Sequence, residues 1–568
     1  KLKFDNVNGQ LHFTDDKLSA KNITANLFDQ PAKVSISTIY HNKIKVTRFD
    51  LDSKITATEV KNYFSFPNHG FFSGITAFNA KLDIPQKGKI HLLVNSQLQG
   101  IKINLPKPYG KAVQTPHALR VDSYFTDEQP ALIKIAYPSL LTVLLGYDKK
   151  DDQVDLSRAN IHFGTGESSL PKQPGIFVTG SLDHFTWSEW KKIFSAYKKP
   201  MQVMKNNLQT NKISLKRIEV KVKQIRAFKQ HLNNADLLII PKFDSWTFNV
   251  NSPEMIGTAT IPDDYKHKTT IGYFKVLKLQ SIDNGNKKVE NSWDPKEMLP
   301  LNISVDNFSY ATQSYGKVQL SAAPISNGLR ISQLNIANPT YQLKVSGQWL
   351  RIDNKDRSTF SGMLSTDDLG SLLKQQDFTD HIYQGKGHTN FKLSWPGDPS
   401  AFQSKDLQGT LSADFKDGVV TGLDKETNQK IGLGNLLNAL SLPSLAKRLT
   451  LNFSDLKKKG YHFSVMRGDL TIKNGNLSTK KVYLNGSVAE IYIVGTLGLK
   501  QQRYNLNVTI NPYVTSSLPI LATIVGGPVA GVATWLVSKL ARAGVKKVVI
   551  YQYHIGGTWK KPTIKSIS

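Results

Sequence analysis

The sequence predicts a mainly β fold: a long, twisted, open β-sheet with a few short helices and a C-terminal helical hairpin. Three observations predict it. Apolar and polar residues alternate with period two along most of the 568 residues. Turn dipeptides of the Asn-Gly and Asp-Gly kind punctuate the alternating runs. One meander-sized pattern recurs, with the same spacing, at opposite ends of the chain.

The alternation gives each strand one apolar and one polar face. Ile218, Val220 and Val222 alternate with Glu219, Lys221 and Lys223, and Tyr504, Leu506, Val508 and Ile510 alternate with Asn505, Asn507 and Thr509. Tyr341-Leu343-Val345 and Ile491-Ile493 behave alike. Asn8-Gly9, Asn284-Gly285, Asn327-Gly328, Asp417-Gly418, Asn474-Gly475 and Asn485-Gly486 read as hairpin turns, because Asn and Asp tolerate positive φ and Gly adopts it freely. The recurring pattern is Gly9, Leu11, Phe13, Leu18, Ile23 near the start and Gly468, Leu470, Ile472, Leu477, Val482 near the end. A looser copy runs through Val318, Leu320, Leu329, Ile331, Leu334 and Ile336. Repetition without a Pro/Ser-rich linker predicts one extended sheet of similar meanders. A set of separate β-sandwiches would alternate in the same way.

Helical spacing is confined to short stretches. Trp190, Ile193, Phe194 and Tyr197 share one face; Ser365 to Asp368 read as the cap of a helix carrying Leu369, Leu372 and Leu373; Leu433, Leu436, Leu437 and Leu440 make a third face.

Composition excludes several functions. No Cys is present, which removes disulfides, thiol catalysis and thiolate metal sites. Neither HExxH nor a P-loop occurs, and Gly164 to Ser168 lacks the Lys a phosphate loop needs. The acidic pairs Asp15-Asp16, Asp151-Asp152, Asp263-Asp264 and Asp367-Asp368 fall at turn or cap positions. No catalytic residue, metal or cofactor is expected, and the chain reads as a non-enzyme. The net charge of +29, from 73 basic and 44 acidic residues, suits an anionic partner. Nucleic acid is not expected, because Lys457-Lys458-Lys459, Lys546-Lys547 and Lys560-Lys561 belong to no nucleic-acid module. The chain opens at Lys1 directly into strand-like sequence, so a longer protein is expected, with a signal peptide or an N-terminal anchor upstream.

One stretch departs from the alternation. No charge lies between Tyr504 and Ser538, and Gly526-Gly527-Pro528 interrupts the apolar run midway. Pro lacks a donor and Gly loosens the turn, so two short apolar helices are expected rather than one span. Leu518, Leu521, Ile524 and Val525 fall before the break; Val529, Val532, Trp535, Leu536 and Leu540 fall after it. With the basic Arg542, Lys546 and Lys547 they form a candidate membrane-contact surface, each half being too short to cross a bilayer core of ~30 Å. The alternative is a plug folded onto the sheet.

Several motifs in residues 360 to 565 carry a family resemblance. They are Gly385-Lys386-Gly387-His388, Leu393 to Gly397, the run from Gly434 to Leu449 and Phe453-Ser454-Asp455, Ser516 to Pro519, Gly526-Gly527-Pro528 and Tyr551 to Tyr553. In these the chain resembles the C-terminal region of the YhdP family, within the AsmA-like group. The resemblance implies a periplasmic protein of a Gram-negative envelope, anchored in the inner membrane by an upstream segment. It also implies a bridge-like lipid-transfer architecture in which phospholipid tails slide along a hydrophobic β-groove between inner and outer membranes. The implied partners are phospholipids, both membranes and envelope proteins. On this reading residues 1-360 are repeated β-meanders, 361-510 an AsmA-like β region with short helices, 511-545 the apolar hairpin and 546-568 a terminal strand and tail. The lipid-binding positions would be the inward apolar residues Leu470, Ile472, Val482, Leu484, Ile491, Ile493, Leu497, Leu506, Val508 and Ile510. The same ten would equally suit a closed core. The alternative function is an envelope structural or assembly factor acting by β-strand pairing.

Overall fold

The computed structural model of the chain describes residues 3–64, 70–125, 131–150, 153–195, 213–281, 294–375, 382–403, 406–420, 461–486, 489–513, 550–559 and 561–567. These are almost all β-strand. They form two compact units, residues 1–264 with 273–283, and residues 265–272 with 284–568.

In the first unit an open sheet is built mostly by adding each strand to its predecessor; Ile101–Ile103 pairs instead with Phe72–Pro85, and Leu119–Phe125 with Ile90–Ser96. Neighbours are antiparallel with one exception: Gly175–Thr186 runs parallel to both Gln153–Phe163 and Leu215–Ala227. Parallel neighbours need a crossover that carries the chain back along the sheet. Residues 164–174 provide the first, and the second includes the helix 187–195, here α2.

The register places like with like. One row of directly paired residues crosses the unit: Ile23, Val34, Leu51, Ala80, Val94, Val121, Ile135, Val143, Ile161, Val178, Ile218, Ile239, Phe248 and Ala259. No polar residue interrupts it, because period two holds each apolar set on one face and a slip of one residue would expose it all. At ~4.8 Å per strand the row extends about 60 Å.

The second unit repeats the device with antiparallel strands. Val305, Val318, Ile336, Leu343, Leu364, Thr389, Ala413, Gly468, Val482, Ile493, Val508 and Tyr553 form one row. The core sits toward the C-terminal strands, where Phe360, Phe415, Phe463, Ile472, Leu506, Val508 and Ile555 belong to one buried cluster. Aromatic rings there lie over glycines of the adjacent strand. A Cβ on Gly347 would stand 2.5 Å from Phe360 Cδ1, and one on Gly362 would stand 2.8 Å from Phe391 Cζ. The missing side chain is what lets the ring lie flat on the sheet.

Short helices interrupt the strands. In the first unit Ala57–Phe64 forms α1, opened by a reciprocal capping box: Glu59 N donates to Thr56 Oγ1 at 3.1 Å and Thr56 N donates to Glu59 Oε2 at 2.7 Å. In the second, Leu369–Gln375 forms α3, capped by Asp368, whose carboxylate accepts from Ser371 N at 3.0 Å and from its hydroxyl at 2.6 Å. The predicted cap is therefore narrower than Ser365 to Asp368, since Ser365 and Thr366 end a strand. Asp417-Gly418 is not a turn. It lies inside Gln408–Val420, where the register skips a residue and Asp417 has φ of 55°, so the pair makes an irregularity in the strand. Among the described residues no helix is long and apolar enough to cross a membrane.

Candidate functional site

The two faces of each sheet differ in kind. The polar face carries hydrogen-bonded ladders. Arg48 holds Asp83 with two bonds of 2.7 Å, and this pairing keeps the Asp83 carboxyl below the usual carboxylate range. His91 Nε2 lies 3.0 Å from Asp122 Oδ1 and the ring stacks on Tyr124 at 4.3 Å. In the second unit Gln333 and Asn335 both donate to Gln319 at 3.3 Å, and Tyr483 and Tyr492 both donate to Glu490, at 3.0 and 3.1 Å. These pairs are partly solvated and consume each other's hydrogen-bonding capacity.

Nothing in this array assembles as a reactive centre. Among the described residues no group of three His, Asp or Glu side chains is placed to hold a metal ion. Lys111 is a buried cation, but its ammonium donates to the carbonyls of Leu98 at 2.9 Å, Ala112 at 3.0 Å and Ile101, so all three of its protons are used in tying down a loop. A cavity of about 350 Å³ is lined by Tyr341, Met363, Ser365, Asp367, Lys386 and His388; Ser365 and His388 are paired across two strands, and among the described residues no hydrogen bond joins their side chains.

The apolar face is the candidate site. In the first unit every residue of the row from Ile23 to Ala259 is half-buried except Ala80, which is buried. Such a surface accepts apolar atoms along its whole length without a break. In the second unit all ten predicted lipid-binding residues come together on one face. Ile472, Ile491, Ile493, Leu497, Leu506, Val508 and Ile510 are buried within the apolar cluster; Leu470, Val482 and Leu484 are half-buried against it. Leu484, Ile491 and Ile510 are direct neighbours in one row, and Val482, Ile493 and Val508 in the next.

The twelve predicted membrane-contact residues, Leu518, Leu521, Ile524, Val525, Val529, Val532, Trp535, Leu536, Leu540, Arg542, Lys546 and Lys547, lie outside the described residues. So do the apolar face Leu433 to Leu440, the basic run Lys457 to Lys459, and Tyr197. What sequence reasoning missed is the row in the first unit. Its signal was present, since Val121, Ile135 and Ile161 each alternate with polar or small neighbours, but strand pairing is needed to align them.

An open sheet with one continuous apolar face and a laddered polar reverse defines a β-groove protein. Within that class the chain belongs to the YhdP family, whose model, described as YhdP protein, matches residues 1–564. The match takes in the N-terminal strands as well as the motif-bearing region after residue 360. Among relatives, the chain is similar to the intermembrane phospholipid transporter YhdP of Escherichia coli strain K12, with 20% identity over 585 residues covering 99% of this chain and 44% of that protein. The chain thus spans less than half the length of this relative.

Proposed function

We propose that this chain carries phospholipid between the inner and outer membranes of a Gram-negative envelope, tails against the apolar face and head groups in water. The observation that carries the reading is the uninterrupted, half-exposed row from Ile23 to Ala259. Leaving a methylene in water costs about 0.8 kcal/mol, so a 16-carbon tail in water costs on the order of 12 kcal/mol. A continuous apolar track removes most of that barrier and needs no reactive residue. The chain therefore acts as a conduit and not as an enzyme.

The relative's name, an intermembrane transporter, supports a place in the periplasm, and to this the proposal adds an inner-membrane anchor upstream. The stretch from Leu518 to Lys547 is the part we assign to membrane contact, and the ten apolar residues from Leu470 to Ile510 are assigned to lipid tails at that end of the chain. Mass spectrometry of lipid extracted from the purified chain tests the reading. Phospholipid is expected to co-purify, and a protein free of lipid but crosslinked to an envelope β-protein would replace this account with the strand-pairing one.

A further inference from the structure

One motif of the sequence takes no part in the apolar face. Gly385-Lys386-Gly387-His388 lies in Ile382–Pro396, and its two glycines shape it. Gly385 has φ of 88°, a conformation that favours glycine, and a Cβ on Gly387 would collide with the Asp414 carbonyl oxygen of the adjacent strand. Lys386 and His388, two residues apart, stand on one side of the sheet. It is the polar side. Tyr341, Thr366 and Gly387 share the alternation of the apolar Leu343 and Leu364, whereas Gln342, Ser365 and His388 form the directly paired row beside them.

Gln342, Ser365, Asp367, Lys386 and His388 line the cavity of about 350 Å³. Tyr341 and Thr366 line it as well, so it lies at the rim where Tyr341–Ile352 begins and Lys355–Thr366 ends. Its volume falls within that of small-molecule sites, about 300–1,000 Å³. The polar side chains around it are not spent on one another. Those of Gln342, Ser365, Asp367 and His388 make no hydrogen bond or ion pair among the described residues. Lys386 Nζ lies 3.7 Å from Asp417 Oδ2, but the two side chains are 63% and 66% exposed, and so loose a surface pair is worth little. Asp414, next in the row, is taken by Arg467, whose Nε donates to it at 2.9 Å.

The lining therefore offers donors from Gln342, Ser365, Lys386 and His388, together with one carboxylate, Asp367. Such a set suits a ligand bearing both charges: an anion with several oxygens for the donors and an ammonium for the carboxylate. A phosphate alone would meet Asp367 as a like charge, and an amine alone would meet Lys386. We propose that this rim cavity binds a phosphoethanolamine group, its phosphate on Lys386, Ser365 and His388 and its ammonium on Asp367. The group is the same on a lipid head and on the free glycerophosphodiester. The choice of phosphate rests on the lipid-carrying reading. On the apolar side, two residues further along their strands, the half-buried neighbours Leu343 and Leu364 stand where a tail would lie.

Saturation-transfer difference NMR on the purified full chain tests the proposal, with glycerophosphoethanolamine as the probe. Saturable binding is expected, tighter than that of glycerophosphate. Lys386→Gln should weaken it about tenfold, and Asp367→Asn should erase the preference over glycerophosphate. Both side chains are exposed, so the urea midpoint should not move. Binding that does not saturate, or that both variants leave unchanged, would overturn the inference. Displacement of the probe by dihexanoyl phosphatidylethanolamine identifies lipid head groups as the source of the ligand, and a probe that this lipid fails to displace assigns the cavity to the soluble diester. A chain that carries lipid but does not bind the probe loses only this inference; one that binds the probe but carries no lipid loses only the lipid-carrying reading.

Discussion

The apolar face of residues 23–259 and that of residues 463–559 obey the same period-two rule and end in different states. In the first, Val34, Leu51, Val94, Val121, Ile135 and Val143 keep part of their surface in water. In the second, Phe463, Leu506, Val508 and Ile555 are no more than 2% exposed. Alternation decides which face a residue joins, and size decides whether the face closes. The first row is built of Val, Ile, Leu and Ala with a single Phe, Phe248, and these stand side by side as a ribbon. Phe rings stand over glycines in both units, at Gly257 with Phe274 in the first and at Gly347 with Phe360 in the second, and the C-terminal strands add the buried Phe463 against Gly418. The first face stays half-open along its length, and the C-terminal one is largely covered.

The contrast yields a ranked set of substitutions. The largest effect is expected from Phe463→Ala, which empties the centre of the buried cluster and should cost about 3–5 kcal/mol, read as a lower urea midpoint. Next is Gly362→Ala, where the added Cβ meets the Lys344 carbonyl oxygen of the adjacent strand before it meets Phe391; the backbone must shift, and overpacking should cost about 1–3 kcal/mol in the same measurement. A third substitution, Ile135→Glu, should leave stability within about 1 kcal/mol, because the site is half-solvated, yet reduce co-purifying lipid several-fold. Should Ile135→Glu unfold the protein as Phe463→Ala does, the two regions are not different in kind.

The smallest effect concerns the polar face. Hydrogen bonding to Arg48 depresses the Asp83 carboxyl in the folded state. A depressed folded value means the pair contributes fully above the unfolded carboxylate value and is lost as pH falls through the folded one. Asp83→Asn should therefore flatten the acid limb of stability below about pH 4, by less than about 1 kcal/mol, and leave neutral-pH lipid binding unchanged.

Much of this was legible in residues. Asn474-Gly475 announces its turn, with φ of 51° and 70°, and Asp368 announces the start of α3. Phe28-Asp29 and Phe228-Lys229 make turns of the same positive-φ kind, with φ between 52° and 61°, though neither reads as a turn signal. There the paired strands impose the conformation and the local sequence only tolerates it. The parallel pairings around Gly175–Thr186 were illegible for a related reason, since alternation is identical in parallel and antiparallel strands. The ten apolar residues near the C-terminus were found as a face, but covered and open faces share one pattern.

The most direct test of the central claim is photocrosslinking in cells at consecutive positions across neighbouring strands of the first unit. A photoreactive residue is placed in turn at Val121, Asp122, Ile135 and Lys134, of which Val121 pairs with Ile135 and Asp122 with Lys134. The account predicts phospholipid adducts at Val121 and Ile135 and none at Asp122 and Lys134. Adducts of equal yield on both faces, or none on either, would contradict it.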